Sequence, residues 1–486
     1  MNQIIGLDIG TNSVKAIILQ DGKVLGQTSV GYSPDYLGDG KVEQDPAIWW
    51  DATQKAIRDI TAAHPGHVVA ISAAGQMHSS VFLDENGNVI RNAILWNDMR
   101  TTKQVNDIYN AAGSDVDLVE TAHNYAFEGF TLPKILWLRE NEEVNFNKVS
   151  KVIMPKDYIN YKLTGRVATD VSDAAGTLLL DIPNRKWNTE FLAKVGLSSD
   201  LLPDVLESVD AVGKVQPELA AELGLSPETL VIAGGADNSC AAIGNGVTRA
   251  GQTVISIGTS GTIVTMFDKM PEPSVITGEV HLFNYSYPEK FYAMGCMLCA
   301  GESLNWLRTI LNIEDFNDFN VLAEQSSAGA GGVIFLPYLF GERCPYPDPY
   351  AKSIFFGMST TTTRADMVRA VMEGVAYNVR VMYDMVTVFT PITDIYITGG
   401  GAKSDIWGRI IASALGREIT VLNIEEGPAF GAALIAGVGA GIFADFDTAK
   451  AQFLQTAKVI QPENNPIYAQ QFEKFEELYC SNSHMW

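Results

Sequence analysis

Two apolar runs flank a short polar turn at the start of the chain, Leu7-Asp8-Ile9-Gly10-Thr11-Asn12-Ser13 followed by the apolar stretch 14–19. This pattern predicts a β-hairpin. It returns 248 residues later as Ile255-Ser256-Ile257-Gly258-Thr259-Ser260-Gly261, with 262–267 behind it. Between the copies, the pattern predicts a third strand over 23–30 and an amphipathic helix from Pro46 to about residue 63. A short apolar run, 67–73, reads as a buried strand that delivers Gly75-Gln76-Met77-His78 to a turn. A further hairpin pattern centres on Glu85-Asn86-Gly87, and Ile94-Leu95-Trp96-Asn97-Asp98 leads into a polar helix after Arg100.

Residues 120–210 mix helix and loop patterns and read as a lobe on the first sheet. A strand over 230–233 ends at Gly234-Gly235-Ala236-Asp237-Asn238-Ser239, and small residues over 240–246 read as a helix. In the second half, a strand over 252–257 opens the repeated hairpin, and a helix over 303–311 and a Pro-rich loop over 337–349 follow. Thr363-Arg364-Ala365-Asp366 is a capping box for a helix that carries Val371, Val375, Val379, Met382 and Val386 on one face. A strand over 394–398, the turn Gly399-Gly400-Gly401 and a helix over 404–415 complete the series. Strands alternating with crossover helices and glycine turns predict α/β domains with sites at strand ends. The boundary is expected near 245, giving domains 1–245 and 246–486.

Length and charge narrow this further. At 486 residues the chain exceeds one hydrophobic core. Its formal net charge of −23 disfavours nucleic acid and anionic membranes as partners. An anionic ligand would have to be held by turn amides, helix N-termini and a metal rather than by a lysine cluster. Five cysteines form no disulfide framework, and Cys296-x-x-Cys299 lacks the second pair that a zinc site needs. Residues 427–443 carry no charge, but Pro428, five glycines and the flanking Glu425, Glu426 and Asp445 favour a buried helix over a membrane span. With no basic leader before the first strand, the chain reads as soluble and cytoplasmic. A homodimer stays open as an assembly.

The hairpin turns gather N–H groups and small hydroxyls into a concave donor site suited to phosphate. Asp8 adds a hard oxygen ligand for Mg²⁺ to the first copy, where the second has Ser256. Asp237, at a strand-to-helix junction, fits a helix N-cap or a general base equally. His78 fits a structural or a ligand-binding role. Trp96, Asn97, Asp98 and Arg100 fit a sugar site or a solvated loop. Gly399 to Ala402 fits a structural turn or a backing for a flat ring, and no P-loop or dinucleotide fingerprint occurs.

The stretch Gly129-Phe130-Thr131-Leu132-Pro133-Lys134-Ile135-Leu136-Trp137-Leu138-Arg139-Glu140-Asn141 resembles the first signature of the FGGY carbohydrate kinases. Ser353-Ile354-Phe355-Phe356-Gly357 through Asp366, Ala370 and Glu373 resembles the second. The resemblance covers essentially the whole chain. Gly75-Gln76-Met77-His78, Leu95-Trp96-Asn97-Asp98, Met154-Pro155-Lys156-Asp157-Tyr158 and Ser172-Asp173-Ala174-Ala175-Gly176-Thr177 are similar to the xylulokinases of that family. Thr121-Ala122-His123-Asn124-Tyr125, Cys344 and Ser353 depart from the usual pattern, the first within the lobe expected to line the sugar pocket.

The resemblance implies two actin/hexokinase-like (ribonuclease H-like) ATPase domains with a cleft between them, and ATP-dependent phosphorylation of D-xylulose. Gluconate and ribulose are the alternative acceptors, and a non-catalytic nucleotide or sugar sensor is the alternative of a different class. It implies Asp237 as general base, and Met77, His78 and Asp237 at the sugar, with Trp96 and Asn97 nearby. It places Mg²⁺ at Asp8 and Asp237, and the terminal phosphates at Thr11, Asn12 and Ser13. From the second domain it brings Gly258 and Thr259, with Gly301, Asn305, Gly399, Gly400, Gly401 and Ala402 on the nucleotide side.

Overall fold

The computed structural model describes residues 2–424 and 427–486; Glu425 and Glu426, two of the charges flanking the apolar stretch, lie outside them. Six strands make the first large sheet: β1 (Asn2–Ile9), β2 (Ser13–Gln20), β3 (Lys23–Gly31), β4 (His67–Gly75), β5 (Ala211–Lys214) and β6 (Leu230–Ala236), in the order β5-β6-β4-β1-β2-β3. Seven make the second: β7 (Thr253–Ile257), β8 (Gly261–Phe267), β9 (His281–Asn284), β10 (Phe291–Met297), β11 (Ile395–Thr398), β12 (Ile419–Leu422) and β13 (Thr456–Ile460), in the order β9-β10-β8-β7-β11-β12-β13.

The two sheets repeat one plan. In each, a hairpin pairs antiparallel (β1 with β2, β7 with β8), and the first strand then pairs parallel with a strand reached through a crossover (β4, β11). A further parallel strand follows on the same side (β6, β12). Both hairpins turn over three residues, Gly10 to Asn12 and Gly258 to Ser260, with the turn glycine N–H donating back to a carbonyl oxygen at 3.0 and 2.9 Å.

Helix α1 (Pro46–Ala63) starts where the pattern places it, capped by Asp45 with Pro46 in its first turn, and buries Trp49, Ala56, Ile57 and Ile60. Between β4 and β5 lies the lobe, which includes α2 (Thr131–Asn141). Helix α3 (Asp237–Gly244) leaves β6 directly, three residues earlier than the small-residue run predicts. The sequence reads a strand end at the glycine pair, yet β6 continues through Gly234 and Gly235 to Ala236 across a register shift.

In the second half come α4 (Gly301–Leu311), α5 (Arg364–Val386), α6 (Asp405–Leu415) and α7 (Pro428–Gly439). The Thr363–Asp366 capping box of α5 is formed at both of its bonds. The apolar stretch forms α7, with nine consecutive residues, 429–437, buried. This helix lies not on its own sheet but across β1, β4 and β6 and against α3. Two glycines permit that approach: a Cβ on Gly6 would stand 1.9 Å from the Ala429 carbonyl oxygen, and one on Gly431 1.7 Å from that of Cys240. Among the described residues, no helix is long and apolar enough to cross a membrane.

The predicted hairpin at 85–87 forms in a minimal way, with an antiparallel bridge between Leu83 and Val89 and the Ile90 N–H donating to the Phe82 carbonyl oxygen at 2.9 Å. Asp84 and Asn88 close it, and β-ladder pairing of 81–83 goes to the distant segment 151–153.

Candidate active site

Strand ends bring the chemistry together. Asp237 is the first residue of α3, not its N-cap; Ala236 holds that place and makes no side-chain cap bond. The Asp237 Oδ1 accepts from the Asn238 backbone N–H at 2.7 Å and from its side-chain amide at 2.9 Å, which leaves Oδ2 without a donor among the described residues. Burial pushes this carboxyl up to about 6, against the opposing pull of the Asn238 bonds.

A cavity of about 200 Å³ joins Asp237 to Met77, His78 and Trp96. Strands β8 and β10 of the second sheet supply its other wall through Thr262, Met294 and Cys296, with Arg343 beside them. His78 is held in a left-handed conformation at φ +72°. Its Nδ1 lies 2.6 Å from the Gly176 carbonyl oxygen, so that nitrogen carries the proton and Nε2 is an acceptor. Burial pushes the ring down to about 3 against the opposing pull of the Gly176 bond, with the neighbouring Lys134 and Arg343 adding to the effect, so it stays neutral. Phe130 packs on it with ring centres 4.8 Å apart.

The first signature explains that posture. Lys134 of α2 is fully buried, and its ammonium donates to the carbonyl oxygens of His78 and Phe130 at 3.2 and 3.0 Å, and to that of Gly129. Burial lowers its pKa to about 7. The second signature is structural as well: Glu373 accepts from Arg369 at 2.8 Å and from the Gly329 N–H at 3.0 Å, tying α5 to the loop at Gly329.

Asp8 reaches the same cleft from β1. Burial pushes its carboxyl up to about 7, and the negative charge of Asp237 adds to that, while Lys15 opposes it. Two buried hard carboxylates, one of which raises the proton affinity of the other, fit a divalent cation between them, because a cation removes the repulsion felt at Asp8. The turn beside Asp8 is braced: Trp96 Nε1 donates to Thr11 Oγ1 at 3.0 Å, and Tyr32 donates to the Gly10 carbonyl oxygen at 2.6 Å. Asn12 and Ser13 complete this turn.

A second cavity, of about 420 Å³, lies on the other hairpin. Gly258, Thr259, Gly301, Asn305, Gly400 and Gly401 line it. The Gly301 and Glu302 N–H groups donate to the Gly258 and Thr259 carbonyl oxygens at 2.8 and 3.0 Å, which docks α4 on the turn.

Gly399 and Ala402 are separated from this group. They face a different cavity of about 150 Å³, because the turn presents only its middle residues to the large one. Gly399 has φ +85°, and a Cβ there would stand 2.6 Å from the Ile257 carbonyl oxygen, so its glycine serves the turn itself. Asn97 does not line the cavity at Asp237; its Oδ1 is buried without a partner among the described residues. Asp98 and Arg100 serve the scaffold: Arg100 pairs with Asp98 and Glu43 at 2.7 Å each, and Asp98 accepts from the Val42 N–H at 2.6 Å. Thr121 and His123, expected near the sugar, instead line a polar cavity of about 340 Å³ that shares no residue with the one at Asp237. Asn124 exchanges hydrogen bonds of 2.6 and 3.0 Å with Leu282 on β9 and so ties the lobe to the second sheet.

Sequence reasoning passed over Asn238, Met294, Cys296 and Arg343 at the smaller cavity, and Phe316, Asn317, Lys403 and Trp407 at the larger. Asn238 could have been found as the neighbour of Asp237. The others arrive through sheet and helix packing that leaves no local pattern.

Known proteins agree with this architecture. Residues 3–244 match the N-terminal domain, and residues 253–440 the C-terminal domain, of the FGGY family of carbohydrate kinases. The chain is 38% identical over 490 residues to the xylulose kinase of Bacillus subtilis (strain 168), covering 99% of this chain and 97% of that protein. Its structure superposes on that of a xyloylose kinase from Brucella ovis with a TM-score of 0.93, at 33% identity and full coverage of both chains. On the gluconate kinase from Lactobacillus acidophilus the TM-score is 0.91, at 29% identity, covering 99% of this chain and 97% of that one. With duplicated sheets, paired hairpin turns and a carboxylate at the cleft, the chain belongs to the FGGY family of carbohydrate kinases.

Proposed function

We propose that the protein transfers the γ-phosphoryl group of ATP to O5 of D-xylulose, with Asp237 as the general base. The observation that carries this reading is the meeting of Asp237, Met77 and His78 in one small cavity walled on its far side by the second sheet. In the reaction O5 forms a bond to the γ-phosphorus, its proton passes to the free Oδ2 of Asp237, and the bond to the β–γ bridging oxygen breaks to release ADP. A carboxyl raised to about 6 is a better base than an exposed aspartate and is still mostly ionised at neutral pH.

His78, with its proton held on Nδ1, accepts from a sugar hydroxyl through Nε2. The turn at Thr11, Asn12 and Ser13 and the turn at Gly258 and Thr259 hold phosphate oxygens from opposite sides. Gly301, Asn305, Gly400 and Gly401 line the nucleotide cavity. Asp8 and Asp237 would hold Mg²⁺, which supplies charge neutralisation at the transferring phosphoryl group. The domain division near residue 245 separates the sugar side from the nucleotide side, and closure of the cleft excludes water.

A coupled ADP-release assay with Mg-ATP and D-xylulose or gluconate, added separately, tests the reading. Xylulose-dependent release supports it. Release with gluconate alone moves the acceptor to a sugar acid, a reading kept open by the gluconate kinase of the same fold. Sugar binding by calorimetry without any ADP release overturns catalysis altogether.

A further inference from the structure

Arg343 stands at the sugar-side cavity with its charge uncommitted. It belongs to the loop after residue 336, and its backbone is pinned. The Glu342 Oε1 accepts from the Arg343 N–H and from the Leu298 N–H, both at 2.8 Å, and the Glu342 N–H donates to the Asp348 carbonyl oxygen at 2.8 Å. Glu342 itself is buried, and burial raises its carboxyl to about 8, so it serves the loop rather than pairing with the guanidinium. Among the described residues, Arg343 has no ion pair and no side-chain hydrogen bond. This is notable in a chain with 57 acidic and 34 basic side chains.

Its surroundings locate the charge. Arg343 lines the cavity together with His78 and Cys296. Its field reaches His78, His281 and Cys296, all neutral groups. The Asp237 carboxyl, by contrast, answers to burial and to Asn238. Asp237 stands on the first-sheet wall of the cavity and Arg343 beside the β8–β10 wall, so base and guanidinium meet a bound acceptor from different sides. The base takes the end that is phosphorylated, and the guanidinium faces the remainder.

A guanidinium only donates, through a planar fork of N–H groups. Its good partners are carbonyl or carboxylate oxygens, and a hydroxyl that must also place its own proton is a poorer one. We propose that Arg343 recognises the oxo-bearing end of the acceptor, and so selects an open-chain ketose over the polyol of the same carbon skeleton. This rests on the ketose reading above. It adds a residue from the second domain to the choice of substrate, whereas Met77, His78 and Asp237 all come from the first half of the chain.

The test compares kcat/KM for D-xylulose and for xylitol, which carries a hydroxyl in place of the C2 carbonyl, in the full-length protein and in Arg343→Met and Arg343→Lys. A lost charge-assisted hydrogen bond lowers kcat/KM for the ketose about 10- to 100-fold, chiefly through KM. Xylitol turnover is expected to move less than about 3-fold, since the polyol never made that bond. Arg343→Lys keeps the charge without the fork and falls between. Equal losses on both acceptors overturn the proposal and place Arg343 at the phosphoryl group, and no loss on either overturns it outright. Unaltered selectivity in variants of an enzyme that does use D-xylulose overturns this inference alone. Absence of D-xylulose turnover in the unmodified protein overturns the ketose reading, and this inference with it. Melting curves of both variants, expected to match the parent because Arg343 is exposed and unpaired, separate these outcomes from misfolding.

Discussion

The Nδ1 of His78 donates to the carbonyl oxygen of Gly176 at 2.6 Å, and this one bond fixes the tautomer of a ring that lines the cavity with Asp237. Because burial pushes the imidazole down to about 3, the ring does not titrate in the working range. The KM for the sugar is therefore expected to show no histidine limb between pH 5 and 8, when measured at saturating ATP. His78→Ala removes the acceptor and is expected to raise that KM about 5- to 100-fold, the range for a lost hydrogen bond.

In the proposed mechanism Asp237 governs the acid side of the rate profile. As a base it must be ionised, so kcat/KM for the sugar is expected to fall as pH drops through about 6, where its carboxyl titrates. Asp237→Asn is expected to lower kcat by about 10²- to 10⁴-fold, the usual contribution of a positioned base, with nucleotide binding by calorimetry largely retained. Turnover within threefold of the parent would remove Asp237 from the mechanism.

Asp8 and Asp237 also set a stability trend. Both carboxyls bind protons more tightly in the fold than in the unfolded chain, at about 7 and about 6. Their contribution is fully present below the ordinary carboxylate value of about 3.9 and is lost as pH rises through about 6 to 7. Mg²⁺ bound between them would restore it. The gain in Tm on adding Mg²⁺ is thus expected to be larger at pH 8 than at pH 5.5, and absent in Asp8→Asn. A pH-independent gain would place the cation elsewhere.

Lys134 couples a family signature to the pocket. Replacing it with Met removes its bonds to the carbonyl oxygens of His78, Gly129 and Phe130, leaving the first with the Thr131 hydroxyl alone, at a cost of about 1–3 kcal/mol by chemical denaturation. It also frees the left-handed backbone at His78, so the sugar KM is expected to rise while the KM for ATP holds. A change in ATP affinity alone would contradict this account.

Much of this site can be read from the chain, and the limits have physical causes. The hairpins at Gly10 and Gly258 are legible because alternation and turn chemistry are local. Asp237 is visible because an apolar run ends there. Its helix starts earlier than small-residue composition indicates, since the register shift at Gly235 carries β6 to Ala236. The segment at Thr121 and His123 reads as pocket lining because a lobe assignment carries no direction; in the fold it faces another cavity. Gly399 and Ala402 read together with Gly400 and Gly401 because a sequence cannot show which side of a turn meets a ligand. Met294, Cys296 and Arg343 come to the cavity through the β8–β10 pairing and a long loop, and neither leaves a periodic trace.

The position of α7 has a consequence for synthesis. The helix that covers β1, β4 and β6 is encoded about 190 residues after β6 ends, so at about 5–20 residues per second the nascent first half waits on the order of 10–40 s for its lid. Throughout that interval Gly6 and Ile4, which share the face of β1 that α7 covers, belong to a half-finished surface on the ribosome. Nascent chains of this protein are thus most exposed to chaperones and to aggregation in the stretch of translation between the end of β6 and α7, and a pause in that part of the message lengthens the exposure.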